Sequence, residues 1–187
     1  MLDASLALIG EKGLEGFSMR EVARRAGVSH QAPYHHFPDR EAILAAIVAE
    51  GFARLRDSSR AAFDAEPNAA RRLTALGGAY IDFALANPAH FKLMFRSEWV
   101  RAEKHDDARA CAAGAFDVLA EAARAVSPND PTLILTAWSL AHGLATLLLE
   151  GKLERIASGA PAQRAAARAA LSRFQSLVSA EARAKGG

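Results

Sequence analysis

The side chains best equipped for chemistry crowd into one seven-residue stretch. His30, Gln31, Tyr34, His35 and His36 put imidazole, amide and phenol groups on a segment too short to be a stable helix alone. Such a surface suits contact with base edges and phosphates. It does not suit hydrolysis or metal binding. His35 and His36 are adjacent, and His105-Asp106-Asp107 likewise lacks a ligand spacing such as H-E-x-x-H. The sequence has no glycine-rich phosphate loop. Cys111, the single cysteine, stands in an alanine-rich stretch where a small buried hydrophobe fits better than a nucleophile. The expectation is a protein that is not an enzyme and takes no cofactor and no metal.

A second constellation lies near the other end. Trp138 and His142 are four residues apart and share a helix face, with Thr132, Thr136, Ser139 and Thr146 forming a hydroxyl stripe close by. One reading is a ligand pocket with aromatic walls from Phe83, Phe91, Phe95, Trp99, Phe116 and Trp138, and His142 as its polar handle. The other is a core histidine bonded to a neighbour, with Gly143 letting helices approach closely. Both readings stay open at this level.

Helices must position both sets. The 187 residues are 51% hydrophobic and only 7% aromatic, and alanine comes in runs such as residues 165–171, which favours helix because alanine loses no side-chain entropy there. Apolar residues recur at helical spacing throughout, and no stretch alternates as a strand would. Helices are expected near 2–12, 19–26, 30–36, 40–63, 69–86, 89–96, 106–126, 131–150 and 162–183, separated by glycine and proline breaks. The expected fold is therefore all-α, about nine helices, in two domains. Residues 1–46 form a three-helix helix-turn-helix domain, and residues 47–187 form a helical-bundle domain for ligand sensing and dimerisation. The eighth helix is apolar nearly all round and carries no charge from Thr132 to Leu149. Interrupting hydroxyls and the lack of a flanking basic cluster favour burial against a second copy over a membrane span. A homodimer is thus expected through the eighth and ninth helices, using Leu144, Leu148, Leu171, Phe174 and Val178.

The first forty residues carry explicit punctuation. Gly13 stops the first helix, and Ser18-Met19-Arg20-Glu21 reads as a capping box. Gly27 ends the second helix, Val28 reads as an apolar plug, and Ser29 reads as the cap of a helix starting at His30. A short helix, a glycine turn and a second short helix make the helix-turn-helix plan, whose second helix enters the major groove.

On these residues the sequence resembles the tetracycline-repressor (TetR) family of regulators. The stretch GVSHQAPYHHFPDREAIL, residues 27–44, is similar to that family's recognition signature, and GLEGFSMREVARRA, residues 13–26, fits the same domain. Trp138, His142 and Gly143 resemble the Trp-x-x-x-His-Gly (WHG) signature of one C-terminal subclass, and the stretch from Asn87-Pro88 to Met94-Phe95 fits it too. The resemblance implies a cytoplasmic repressor that grips a palindromic DNA operator as a homodimer and is released by a small molecule. It implies DNA contacts from Ser18, Arg20, Ser29, His30, Gln31, Ala32, Tyr34, His36 and Arg40. Ser18 would hold a phosphate, Arg20 a base edge or phosphate, and Tyr34, His36 and Arg40 phosphates. His30, Gln31 and Ala32 would read bases, since glutamine can bond adenine bidentately and alanine can touch a thymine methyl.

Three features depart from the family pattern. Pro33 falls about four residues into the expected recognition helix, where it removes one early backbone bond and should distort or tighten that turn. Family members usually carry a basic arm before the first helix, whereas here helix is expected from residue 2. Through residue 46, Lys12, Arg20, Arg24, Arg25 and Arg40 face six anions, Asp3, Glu11, Glu15, Glu21, Asp39 and Glu41. Affinity then rests on a few oriented groups, with a shallow salt dependence. His30, His35 and His36 should also raise DNA affinity as pH falls towards about 6, because imidazolium attracts phosphate. A DNA titration that stays flat between about pH 8 and 6 would count against this. The alternative is a helical ligand-binding or scaffold dimer whose reading head has lost DNA affinity.

Overall fold

The structure is a computed structural model that describes residues 1–96 and 98–185, and their side chains except those of Ala102 and 182–185. Nine α-helices span the described residues: α1 (Leu2–Lys12), α2 (Met19–Arg25), α3 (Ala32–His36), α4 (Arg40–Ala65), α5 (Ala69–Ala86), α6 (Pro88–Met94), α7 (Asp106–Val126), α8 (Pro131–Leu149) and α9 (Ala160–Lys185). A short 3-10 turn, Ala102–Lys104, precedes α7. The all-α expectation holds.

The chain forms two compact units, and both α4 and α7 contribute residues to each. The first unit joins Met1–Arg54 to Asn87–Gly114. Its core packs Leu8, Ile9, Phe17, Met19 and Val22 of the first helices against Ile43, Leu44, Ile47 and Val48 of α4. Leu93, Val100 and Ala108 belong to the same core, with Trp99 and Phe37 packed on it. The core around the first three helices thus takes in chain well beyond residue 46, because α1 and α2 are too short to cover their apolar faces alone.

The second unit contains Leu55–Ala86 and the chain from Ala115 onward. Its core gathers Phe63, Leu73, Leu76, Val118, Ala122, Leu133 and Ala137, with Phe174 and Val178 packed against it. Helix α9 packs on α5 and α8. One dimer expectation is corrected here. Leu171 is only 3% exposed. A methyl group on Gly77 would meet its Cδ2 at 2.7 Å, so the side chain seals its own subunit and is not available to a partner.

Helix α8 buries Leu133, Ala137, Ala141 and Ala145, one stripe at i, i+4 spacing, chiefly against α5. Leu135, Trp138 and Leu147 remain exposed, and Leu177 of α9 is 63% exposed. Leu144 and Leu148 are half-buried beside the covered stripe. Among the described residues α8 is the one helix long and apolar enough to cross a membrane by length and composition.

Candidate nucleic-acid interface

The reading surface is built by three short helices whose ends are fixed residue by residue. Ser18, in extended conformation, caps α2 by accepting the backbone N–H of Glu21 at 3.1 Å. The hydroxyl keeps its own proton to donate outward. The other half of the expected capping box is absent, because the Glu21 carboxylate turns to Arg24 at 2.8 Å and Arg25 at 3.0 Å. Those hydrogen bonds, Arg24's first, hold the Glu21 carboxyl down at about 2. Arg25 also reaches Glu11 at 2.7 Å, tying α1 to α2. Arg24 and Arg25 are therefore already engaged, and Arg20 is the exposed cation of α2 outside this network.

The turn that follows depends on Gly27, whose φ of 67° is a conformation that other residues adopt only with strain. It lets Gly27 N–H reach the Arg24 carbonyl (3.3 Å) and Val28 N–H reach that of Ala23 (3.1 Å). Val28 is 42% exposed, so it is not the buried plug expected of it.

Helix α3 begins at Ala32, two residues later than expected, and no side chain caps it. Ser29 contributes its carbonyl, which accepts from Ala32 N–H at 3.1 Å, rather than capping through its hydroxyl. This moves Pro33 to the second helical position, where its missing N–H leaves no hydrogen bond unmade. Pro33 is also the residue of α3 that is buried. Ser29, His30, Gln31, Tyr34, His35 and His36 are all exposed, Tyr34 by 52%, while Ala32 is half-buried. His30 and Gln31 lie in the turn leading into the helix. Donors and acceptors therefore crowd one open surface with a single proline seated beneath it.

Arg40 is the expected contact that the structure engages within the protein. Its guanidinium lies 4.5 Å from the Trp99 ring centroid and 5.6 Å from that of Phe17, and it donates to the Leu14 carbonyl. The half-buried guanidinium is thus held against its own chain by Phe17, Trp99 and the Leu14 carbonyl, a role the expected phosphate contact did not include. Sequence reasoning missed this role because Trp99 is far away in the chain and nothing local marks the pair.

The candidate ligand residues fall into both units. In the first, the Phe91 and Phe95 rings lie 5.3 Å apart, tilted by 60°, and Phe95 meets Phe52 edge-on at 5.7 Å. Trp99 stacks on Arg40 as described. In the second, the Tyr80 hydroxyl lies 2.8 Å from His142 Nδ1, and the Trp138 ring stands edge-on to His142 at 6.5 Å. Burial pushes the Tyr80 phenol up and the His142 imidazole down, so the bond joins two neutral groups. Tyr80, on α5, went unnoticed in the sequence and supplies the partner that the core-histidine reading required. Phe83 is buried, whereas Phe116 and Trp138 are exposed. A separate groove of 520 Å³ in this unit is lined by Arg71, Thr74, Asp82, Arg168, Ser172 and Gln175 among others. It includes none of the expected ligand residues.

Among the described residues no group of three or more His, Cys, Asp or Glu side chains could hold a metal ion.

Comparison with known proteins adds the following. Residues 1–47 match the family described as bacterial regulatory proteins, tetR family, and residues 73–174 match the tetracyclin repressor-like C-terminal domain. A protein of unknown function from Rhodococcus sp. RHA1 is 30% identical, superposes with a TM-score of 0.71, and is matched over 95% of this chain and 90% of its own. The FadR regulator from Bacillus subtilis, solved in complex with stearoyl-CoA, shares the fold with a TM-score of 0.69 at 14% identity, over 91% of this chain and 94% of that one. The regulator BetI of Rhizobium meliloti is 37% identical over 76 residues, which is 41% of this chain and 37% of that protein. The chain thus spans well under half the length of that curated relative.

Proposed function

Because this chain belongs to the tetR family of bacterial regulatory proteins, we propose that it is a cytoplasmic, DNA-binding transcriptional repressor that grips a palindromic operator as a homodimer and is released by a small molecule. The observation that carries this reading is the open surface from Ser29 to His36. A short helix covered with hydrogen-bonding groups and seated on one proline gains nothing by folding except a surface to present. His30, Gln31 and Ala32 read base edges in the major groove, while Ser18, Tyr34 and His36 hold phosphates and Arg20 takes either. Residues 1–46 act as the reading head, and the rest as sensor and dimer support.

The exposed Leu135, Leu147 and Leu177 support pairing through α8 and α9, with Leu144, Leu148, Phe174 and Val178 at the edge of that contact. The WHG subclass rests on the Trp138, His142 and Gly143 pattern of the sequence alone. The Tyr80–His142 bond is then the polar end of the effector pocket, with Phe83, Phe116 and Trp138 as aromatic wall.

The acidic balance of the first 46 residues favours one rival, a helical ligand-binding or scaffold dimer that no longer holds DNA. One experiment separates them. Fragments of the source genome are incubated with the full chain, and retained DNA is sequenced. A shared palindrome with half-sites about one helical turn apart supports the regulator. Retention without any shared sequence, or none at all, supports the scaffold.

A further inference from the structure

We propose that Arg40 and Trp99 are positioning residues for DNA reading: the segment Trp99–His105 straps the head of α4, and Arg40 acts through that strap instead of on phosphate. The proposal rests on the regulator reading above.

Helix α3 cannot set its own pose. It has five residues, buries one of them, and packs on α2. Its direction is inherited from α2 on one side and, four residues past His36, from the first residue of α4 on the other. That residue is Arg40. Its three contacts come from three parts of the chain: Leu14 in the turn after α1, Phe17 just ahead of α2, and Trp99 in the connection after α6. The next residue, Glu41, fastens the same connection. Its carboxylate accepts the backbone N–H of Arg101 at 3.2 Å and lies 3.5 Å from His105 Nε2 and 3.9 Å from Arg101 Nε. Between these anchors, Val100 is buried in the core with Leu8 and Ile43. The strap thus joins α1, α2 and α4 at the point where α3 hangs between them.

Stacking requires a flat guanidinium, and a phosphate does not. Lysine can replace arginine as a point charge beside phosphate, but it cannot lie flat between two rings. The test uses the full chain and the duplex that the unaltered chain selects, with affinity measured by fluorescence anisotropy across a salt series. Arg40→Lys, Arg40→Met and Trp99→Leu should each weaken binding about tenfold, and Arg40→Met with Trp99→Leu should be no worse than the weaker single. The slope of log affinity against log salt should not change. Trp99→Phe, which keeps a ring under the guanidinium, should bind within about threefold of the unaltered chain. In a Trp138→Phe background, where Trp99 is the remaining tryptophan, Arg40→Met should shift its emission to the red and expose it to acrylamide.

The proposal is overturned if Arg40→Lys binds as well as arginine. It is also overturned if Arg40→Met lowers the salt slope by about one, if the two losses multiply, or if Trp99 emission ignores Arg40. An unaltered chain that selects no duplex sinks the regulator reading and this claim with it. Selection of a duplex followed by any of the other contrary results sinks this claim alone.

Discussion

The chain leaves two surfaces open, and they differ in kind. Around α3 the open side chains are Ser29, His30, Gln31, Tyr34, His35 and His36, every one able to bond water. Along α8 and α9 they include Leu135, Leu147 and Leu177. Water satisfies the first surface at no cost, so its exposure says nothing about energy and much about pose. The second surface pays for its exposure: covering one leucine is worth about 1.5–3 kcal/mol, and a second copy is the nearest source of cover. One surface therefore has to be aimed, and the other has to be closed.

The largest effect should come from preventing that closure. Leu147→Glu combined with Leu177→Glu puts two carboxylates where the apolar face would be covered. Sedimentation should show monomers, and DNA affinity should fall at least about 100-fold as the two reading heads lose their linkage. A double variant that remains dimeric would place the interface elsewhere. The next effects belong to the aimed surface. Gln31→Ala should cost about 1–3 kcal/mol of binding and relax sequence preference at one base pair, with the oligomer unchanged. Ser18→Ala should be smaller and of mixed origin, because the hydroxyl both caps α2 and faces outward. A loss of about 1 kcal/mol in urea unfolding is expected from the cap alone, and any further loss in DNA affinity belongs to the phosphate.

The two surfaces were not equally legible in the sequence. Helix positions came through well because caps and breaks are local, and Ser18, Gly13 and Gly27 act where they stand. The start of α3 was misplaced by two residues, since Ser29 and Pro33 give competing local signals and the proline prevails once it sits in the first turn. Exposure along α8 was harder. An all-round apolar helix shows that cover is needed but not which side its own subunit supplies. The covered stripe is decided by α5, and Leu171 is drawn inward by Gly77, a residue remote in sequence. The contacts of Arg40 were hidden for the same reason, because its partners Leu14, Phe17 and Trp99 are brought together only by tertiary packing.

The smallest expected effect sharpens the same contrast through pH. His35 and His36 of α3 are exposed on the reading surface, whereas His90 is buried on α6 and should act on stability. Burial holds the His90 ring below the usual imidazole range, and the Arg54 charge adds to this, while Glu50 and Asp3 pull the other way. Its Nε2 stands 3.8 Å from Glu50, too long for a hydrogen bond that would favour the charged ring. In the unfolded chain His90 takes up a proton below about pH 6.5 while the folded form resists it, so stability is full above that pH and declines below it. His90→Leu should therefore flatten part of the fall in melting temperature between about pH 7 and 5 and leave the pH dependence of DNA binding as it was. Were the Glu50 attraction dominant instead, stability would rise on acidification and the variant would remove that rise. The sign of the slope thus tells whether burial or the ion pair governs this histidine.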